Sequence, residues 1–167
     1  MDKRGSLIVY GEQVKLDSKD KKILKSLYDN CRKNVSEVEK ETGLRRDSIV
    51  YRLKRLVAKK VIRSFTPILN PAVLGYYSYN YVSVILQNFT EDEFEAFLKH
   101  LVNHPNVTYV ATCTGRSDLE IVITARDSNH YYNIMKDIRS KYSNIIKEAT
   151  TSTIIQEHKY DDFTGLL

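Results

Sequence analysis

Between Arg45 and Arg63 the chain carries eight cations, Arg45, Arg46, Arg52, Lys54, Arg55, Lys59, Lys60 and Arg63, against a single acid, Asp47. Side chains of this type at this density bind polyanions. A solvated helix interleaves both signs and gains from i,i+4 pairs, whereas a run of one sign repels itself until an opposite charge meets it. Guanidinium and ammonium groups hold phosphates, and the same groups, with a hydroxyl or a phenol beside them, can hydrogen-bond base edges in a DNA groove.

An element must present these cations together. Ile49, Leu53 and Leu56 recur at i, i+4 and i+7, the apolar stripe of a helix. At ~100° per residue, Asp47, Val50, Tyr51, Lys54 and Arg55 fall on the opposite side, with Arg46, Arg52 and Lys59 on the flanks. Upstream, Ser36 with Glu39 reads as a capping box for a shorter helix that turns Val35 and Val38 inward, and Gly43-Leu44 is a tight turn. Farther upstream, Ser18 can cap a helix with Ile23, Leu24 and Leu27 on its apolar face, ending near Asn30. This is a helix-turn-helix whose second helix is built to enter a groove. The geometry assigns Ser48, Tyr51, Lys54 and Arg55 to base edges. Arg45, Arg46, Arg52, Lys59 and Arg63 are assigned to phosphates, and Leu53 and Leu56 to the core.

Charge is divided along the chain. Residues 1–70 hold 18 basic and 9 acidic residues, a net of +9, and residues 71–167 hold 8 and 12, a net of −4, which gives the +5 of the whole. A uniformly basic protein would bind anions diffusely; this one has a basic module and a second module with another task. No apolar run approaches the ~18 residues that span a bilayer, and the apolar run Leu7 to Tyr10 is too short for a signal peptide. Cys31 and Cys113 have no metal-type spacing and read as free thiols of a reducing compartment. The expected location is cytoplasmic and chromosome-associated, with no membrane partner.

The second half alternates strand and helix patterns. Tyr76 to Gln87 is rich in Tyr, Val and Ile, a long strand. Thr90 with Glu93 makes a capping box, followed by a stripe of Phe94, Phe97, Leu98, Leu101 and Val102. Val107, Tyr109, Ala111 and Cys113 alternate with polar residues. The turn Gly115-Arg116-Ser117-Asp118 follows, and Leu119, Ile121, Ile123 and Ala125 alternate again. Ser128 can cap a helix that carries Tyr131, Ile134, Met135, Ile138 and Tyr142, and a last strand runs from Ile146 to Ile155. The expected class is α+β: an N-terminal (winged) helix-turn-helix domain, then a βαββαβ ferredoxin-like domain. The boundaries are an arm at 1–15, with Leu7 to Tyr10 readable as an edge strand or a loose tail. A helix-turn-helix domain at 16–65 ends in a short wing strand at Val61 to Phe65. A Pro-stiffened linker covers 66–75, the ferredoxin-like domain 76–157, and a tail 158–167. Helices cover one face of such a sheet, and the tyrosines of its first strand make the other the expected dimer surface.

In this order and size the chain resembles the Lrp/AsnC (feast/famine) family of transcription regulators over about residues 16–157. The resemblance rests on Leu16-Asp17 with Asp20 and Ile23-Leu24, on Gly43-Leu44, on Tyr51 to Leu56, on Val61-Ile62, on Leu69-Asn70-Pro71 with Leu74-Gly75, and on Gly115 to Leu119. It implies a sequence-specific double-stranded DNA-binding regulator acting as a homodimer, with tetramer or octamer as its higher assemblies. It also implies a small-molecule effector such as an amino acid, bound near Gly115, Arg116, Ser117 and Asp118. Four departures stand out. Arg45 replaces the usual Ser cap of the recognition helix, Glu39 a small residue, Lys60 a Gly, and Ser117 the aromatic of the effector loop. An architectural chromatin protein would need the same phosphate-binding helices. Tetrapyrrole decarboxylases share the two-domain layout, but the four histidines here, His100, His104, His130 and His158, are dispersed, and no general base accompanies the His100/His104 spacing. No catalytic residue, metal site or cofactor is expected.

Overall fold

The computed structural model describes residues 12–167; the strand reading of Leu7 to Tyr10 lies outside them. The chain divides into two units, residues 1–67 with 159–167, and residues 68–158.

The first unit holds α1 (Ser18–Tyr28), α2 (Val35–Thr42) and α3 (Arg46–Ala58). Their apolar faces meet at Ile23, Leu27, Val38 and Ile49, with Val35, Leu44 and Leu53 packed against them. The caps differ from expectation. Asp17, not Ser18, caps α1, in a reciprocal box with Asp20. Asn34, not Ser36, caps α2, in a box with Glu37. In both cases an Asx side chain one or two residues earlier reaches the third helical N–H and moves the helix start upstream. Gly43 ends α2 at φ 69°, a left-handed position that glycine occupies without cost. The expected wing strand at Val61 to Phe65 is not formed. Val61 and Ile62 both return their N–H groups to the Leu56 carbonyl, at 2.9 and 3.2 Å, and this folds the chain back on the helix instead of extending it.

The tail belongs to this helical unit. The Tyr28 hydroxyl donates to the Asp161 carbonyl and accepts the Phe163 N–H at 3.2 Å. Asp162 accepts from the backbone and hydroxyl of Thr164, at 2.9 and 2.6 Å, where a single 3-10 turn, Thr164–Leu166, begins.

The second unit is β1 (Ser78–Leu86), α4 (Glu91–Asn103), β2 (Val107–Thr112), β3 (Leu119–Ala125), α5 (Ser128–Lys141) and β4 (Ile146–Thr153). The sheet order is β2-β3-β1-β4 with every neighbouring pair antiparallel, which is the ferredoxin-like arrangement. Thr90 and Glu93 form the expected box on α4. On α5 the cap is Asp127, one residue before the expected Ser128. Period-2 alternation puts Val82, Val84, Leu119, Ile121 and Ile123 under the helices, where they meet Phe97, Leu101 and Ile138.

Strand β2 departs from simple alternation. Its register with β3 shifts between Val107 and Tyr109. An extra residue in one strand reverses which side chains face inward. Val107 and Val110 therefore pack on the core, while Tyr109, paired with Val122, lies on the open face with Tyr81, half exposed at 50%. The open face is thus partly aromatic and partly polar, with Ser83 and Glu120 paired across β1 and β3.

Candidate nucleic-acid interface

The cations of α3 are sorted by two acids at the start of α1. Asp20 is fully buried (0% exposed). One of its oxygens accepts from Arg52 Nη1 at 2.8 Å, and the other takes the Asp17 N–H at 3.1 Å and Arg55 Nη2. Arg52 Nη1 also reaches both oxygens of Asp17, at 2.8 and 2.7 Å. Ionised pairs of this kind are short and strong, and they fix one helix against the other. Arg52 and Arg55 therefore face α1 with their guanidiniums engaged, and not the solvent side where the sequence expectation put them. They fall about 60° and 120° from Ile49 on one flank, and a long Arg stem spans that angle. Arg55 Nε is buried and has no hydrogen-bond partner among the described residues.

What remains outward on α3 is a smaller set. Tyr51 is 69% exposed, and Asp47, Lys54, Val57 and Ala58 are exposed with it. Arg45 and Arg46 are exposed at the N-terminal end, and Lys59, Lys60 and Arg63 beyond the C-terminal end. Ser48 is half-buried. The helix thus presents a central Tyr51/Lys54 strip with cations at both ends.

Two of the family departures turn out to be one arrangement. Arg45 stands at the N-cap of α3 and makes no side-chain cap bond. Glu39, on α2, supplies the missing acceptor: its Oε1 takes the Arg46 N–H at 3.1 Å. Arg46 Nη1 in turn lies 3.5 Å from Ser36 Oγ, at the N-terminal turn of α2. A carboxylate there also suits the positive end of the helix dipole. In the sequence Asp17 and Asp20 stand out only as part of the family-like start, and Glu39 only as a capping partner of Ser36 and a departure from the family; none of them is given a contact with α3 there, because those contacts join residues on different helices.

The loop expected to bind an effector is built differently from the sequence reading. Gly115 sits at φ 128°, a conformation an L side chain rarely adopts. Asp118 Oδ2 accepts the Leu86 N–H at 2.7 Å, and the Asp118 N–H donates to the Val84 carbonyl at 2.9 Å. Its carboxylate secures the end of β1. Ser117 Oγ donates to Glu120, whose other oxygen accepts from Ser83 at 2.8 Å. Arg116 is exposed. Burial, then the charge of Glu120, pushes the Tyr81 hydroxyl above its ordinary range. His100 lies 3.4 Å from Lys141 Nζ, and His104 Nδ1 accepts the Asn106 N–H at 3.1 Å. Burial lowers both histidines.

Comparison with known proteins is consistent across the chain. Residues 80–162 match the family described as the Lrp/AsnC ligand binding domain. The chain is 30% identical over 144 residues to the helix-turn-helix-type transcriptional regulator FL11 of Pyrococcus furiosus, covering 86% of this chain and 92% of that one. It is 28% identical over 148 residues to a helix-turn-helix-type transcriptional regulator of Mycobacterium tuberculosis, covering 88% and 96%. Among solved structures, a Neisseria meningitidis transcriptional regulator in complex with L-methionine superposes with a TM-score of 0.80 at 23% identity, covering 87% and 94%. AsnC of E. coli does so with 0.79 at 20% identity, covering 90% and 99%.

Two outcomes follow from the caps. Glu39→Ala should cost about 1 kcal/mol, the usual worth of an N-cap, and Arg45→Ser in the same chain should recover most of it in urea unfolding. The Asp17 carboxyl is held down at about 2, first by the Asp20 backbone N–H and then by Arg52. A depressed carboxylate stabilises the fold above its unfolded value and stops doing so as pH falls through its folded value. The helical unit should lose this contribution between pH of about 4 and about 2, and Asp17→Asn should flatten that part of an acid titration of helicity.

Proposed function

Because the chain belongs to the Lrp/AsnC family of helix-turn-helix transcriptional regulators, we propose that it regulates transcription by placing α3 in the major groove of double-stranded DNA, two copies at a time. The observation that carries this reading is the sorting of the α3 cations. With Arg52 and Arg55 occupied by Asp17 and Asp20, the Tyr51/Lys54 strip is left to meet base edges. Arg45 and Arg46 at one end of the helix, and Lys59 and Arg63 beyond the other, then meet phosphates of the two strands that flank the groove. Ser48, half-buried, is a secondary candidate for a base contact. The relatives named above are described as transcriptional regulators, which supports a cytoplasmic, chromosome-associated regulator as the corresponding assignment. Among the described residues no helix is long and apolar enough to cross a membrane.

Dimerisation is assigned to the open face of the sheet. One helix-turn-helix reads too few base pairs for selective binding, and a two-fold pair reads half-sites about one helical turn apart. Tyr81 and Tyr109 give that face apolar area with polar tips, which suits a partner surface. The effector is assigned to the loop at Gly115 to Ser117, with the exposed Arg116 as the partner of a ligand carboxylate. The Neisseria regulator's L-methionine complex supports an amino acid as the ligand class. Asp118 takes the structural role described above.

For a dimer that makes about 6–10 phosphate contacts, affinity for duplex DNA should fall roughly 10³–10⁵-fold between 50 and 200 mM salt. Lys54→Ala should relax sequence preference by about 1–3 kcal/mol per base contact, whereas Arg46→Ala should weaken all sequences alike and lower the salt slope. Binding that is flat with salt, or a Lys54 variant that loses affinity uniformly, would refute the groove assignment. For the second unit, light scattering should give a dimer mass or a multiple of it. A thermal-shift screen of the twenty amino acids should give a stabilising ligand whose effect disappears in Arg116→Ala; a shift unchanged in that variant removes Arg116 from the site.

A further inference from the structure

Three described non-glycine residues have a positive φ: Lys60 at 57°, Asn88 at 47° and Asp161 at 34°. Asn and Asp tolerate this region because their short polar side chains bond locally to the backbone. Lysine has no such relief. Its position is not incidental either. The Lys60 N–H bonds to the Val57 carbonyl at 3.0 Å and the Val61 N–H to the Leu56 carbonyl at 2.9 Å, the paired bonds that close a helix around a left-handed residue. On α2 the same left-handed place is filled by Gly43, at φ 69°. The chain thus uses glycine for one helix end and accepts strain at the other.

Nothing among the described residues offsets that strain. Lys60 is exposed, and no ion pair or side-chain hydrogen bond joins it to another described residue. The negative end of the α3 dipole already has a cation in Lys59 at the C-cap. Residues held in sparsely populated backbone regions cluster at functional sites. A groove-bound helix meets phosphates at its ends, and α3 carries Arg45 and Arg46 at one end with Lys59 at the other.

We propose that Lys60 is a DNA phosphate contact, and that the left-handed, strained end of α3 is retained because it delivers this ammonium to the backbone of the bound duplex. The inference rests on the DNA-binding reading above and adds to it a residue at which stability and binding oppose each other.

The test uses the full chain and a mixed-sequence duplex of about 30 bp, long enough for two half-sites. Lys60→Gly should slow amide exchange at the end of α3 about fivefold, the effect of relieving one left-handed side chain. The same variant should reduce the salt slope of DNA binding by about 0.9 per protomer, or roughly 2 for a dimer. Lys60→Asn, which keeps the backbone and loses the charge, should bind like the glycine variant. Lys60→Arg should retain the original slope. A glycine variant that keeps the full slope overturns the contact, and one whose exchange does not slow overturns the strain. A wild-type chain with no salt-dependent DNA binding would instead bring down the DNA reading itself, before Lys60 is considered.

Discussion

One buried carboxylate orders the helical unit. Asp20 sits at the start of α1 with no solvent exposure, and Arg52 and Arg55 both close on it from α3. Taking a carboxylate out of water is costly unless its lone pairs are filled by close cations and donors. Here the Asp17 N–H and two guanidiniums fill them. The arrangement is weak evidence for added stability, because an apolar replacement could pack as well. Its effect is geometric. It sets the rotation of α3 about its own axis, and that rotation decides which side chains a DNA groove would meet.

The same economy of charge runs along the rest of α3. Eight cations next to one acid would repel one another, and the fold removes two of them from the outer face by pairing them inward. At the helix start, an arginine occupies the capping position and a glutamate from the neighbouring helix takes over the capping bond. Residues that look like unrelated departures from a family pattern are coupled in space: the cation gained at Arg45 is compatible with a capped helix because Glu39 is where it is. Lys60 has no such compensation among the described residues, which is what separates it from the other departures.

The ferredoxin-like unit uses backbone donors in a comparable way. Asp118 does not stand free in its loop; it takes the Leu86 N–H, near where the register of β1 against β4 shifts. Ser117 and Ser83 converge on Glu120, which keeps a charge satisfied on the open face of the sheet between tyrosines. The loop at Gly115 is therefore tied to the strands on either side of it, and a ligand that orders the loop would act on the open face through Glu120 and on the end of β1 through Asp118.

Most of the architecture was legible in the sequence because it depends on periodicity. The stripe of Ile49, Leu53 and Leu56, the alternation through Val82 to Leu86 and Leu119 to Ala125, and the box at Thr90 and Glu93 all arise from neighbours within one element. The charge asymmetry, the turn at Gly43 and the order βαββαβ follow from the same local information. What the sequence left undecided depends on pairs distant along the chain. Angles around a helix place Arg52 and Arg55 on a flank, but only the packing of α1 against α3 puts Asp20, 32 and 35 residues away, within their reach. Glu39 reads as an odd residue until α2 brings it to Arg46, the extra residue in β2 turns Tyr109 outward only when β3 is its neighbour, and the expected wing strand fails because Leu56 captures both of its first N–H groups. Local patterns determined the elements. The orientation of the binding face was decided by tertiary contacts, because a long charged side chain goes to whichever opposite charge the fold brings within hydrogen-bond distance.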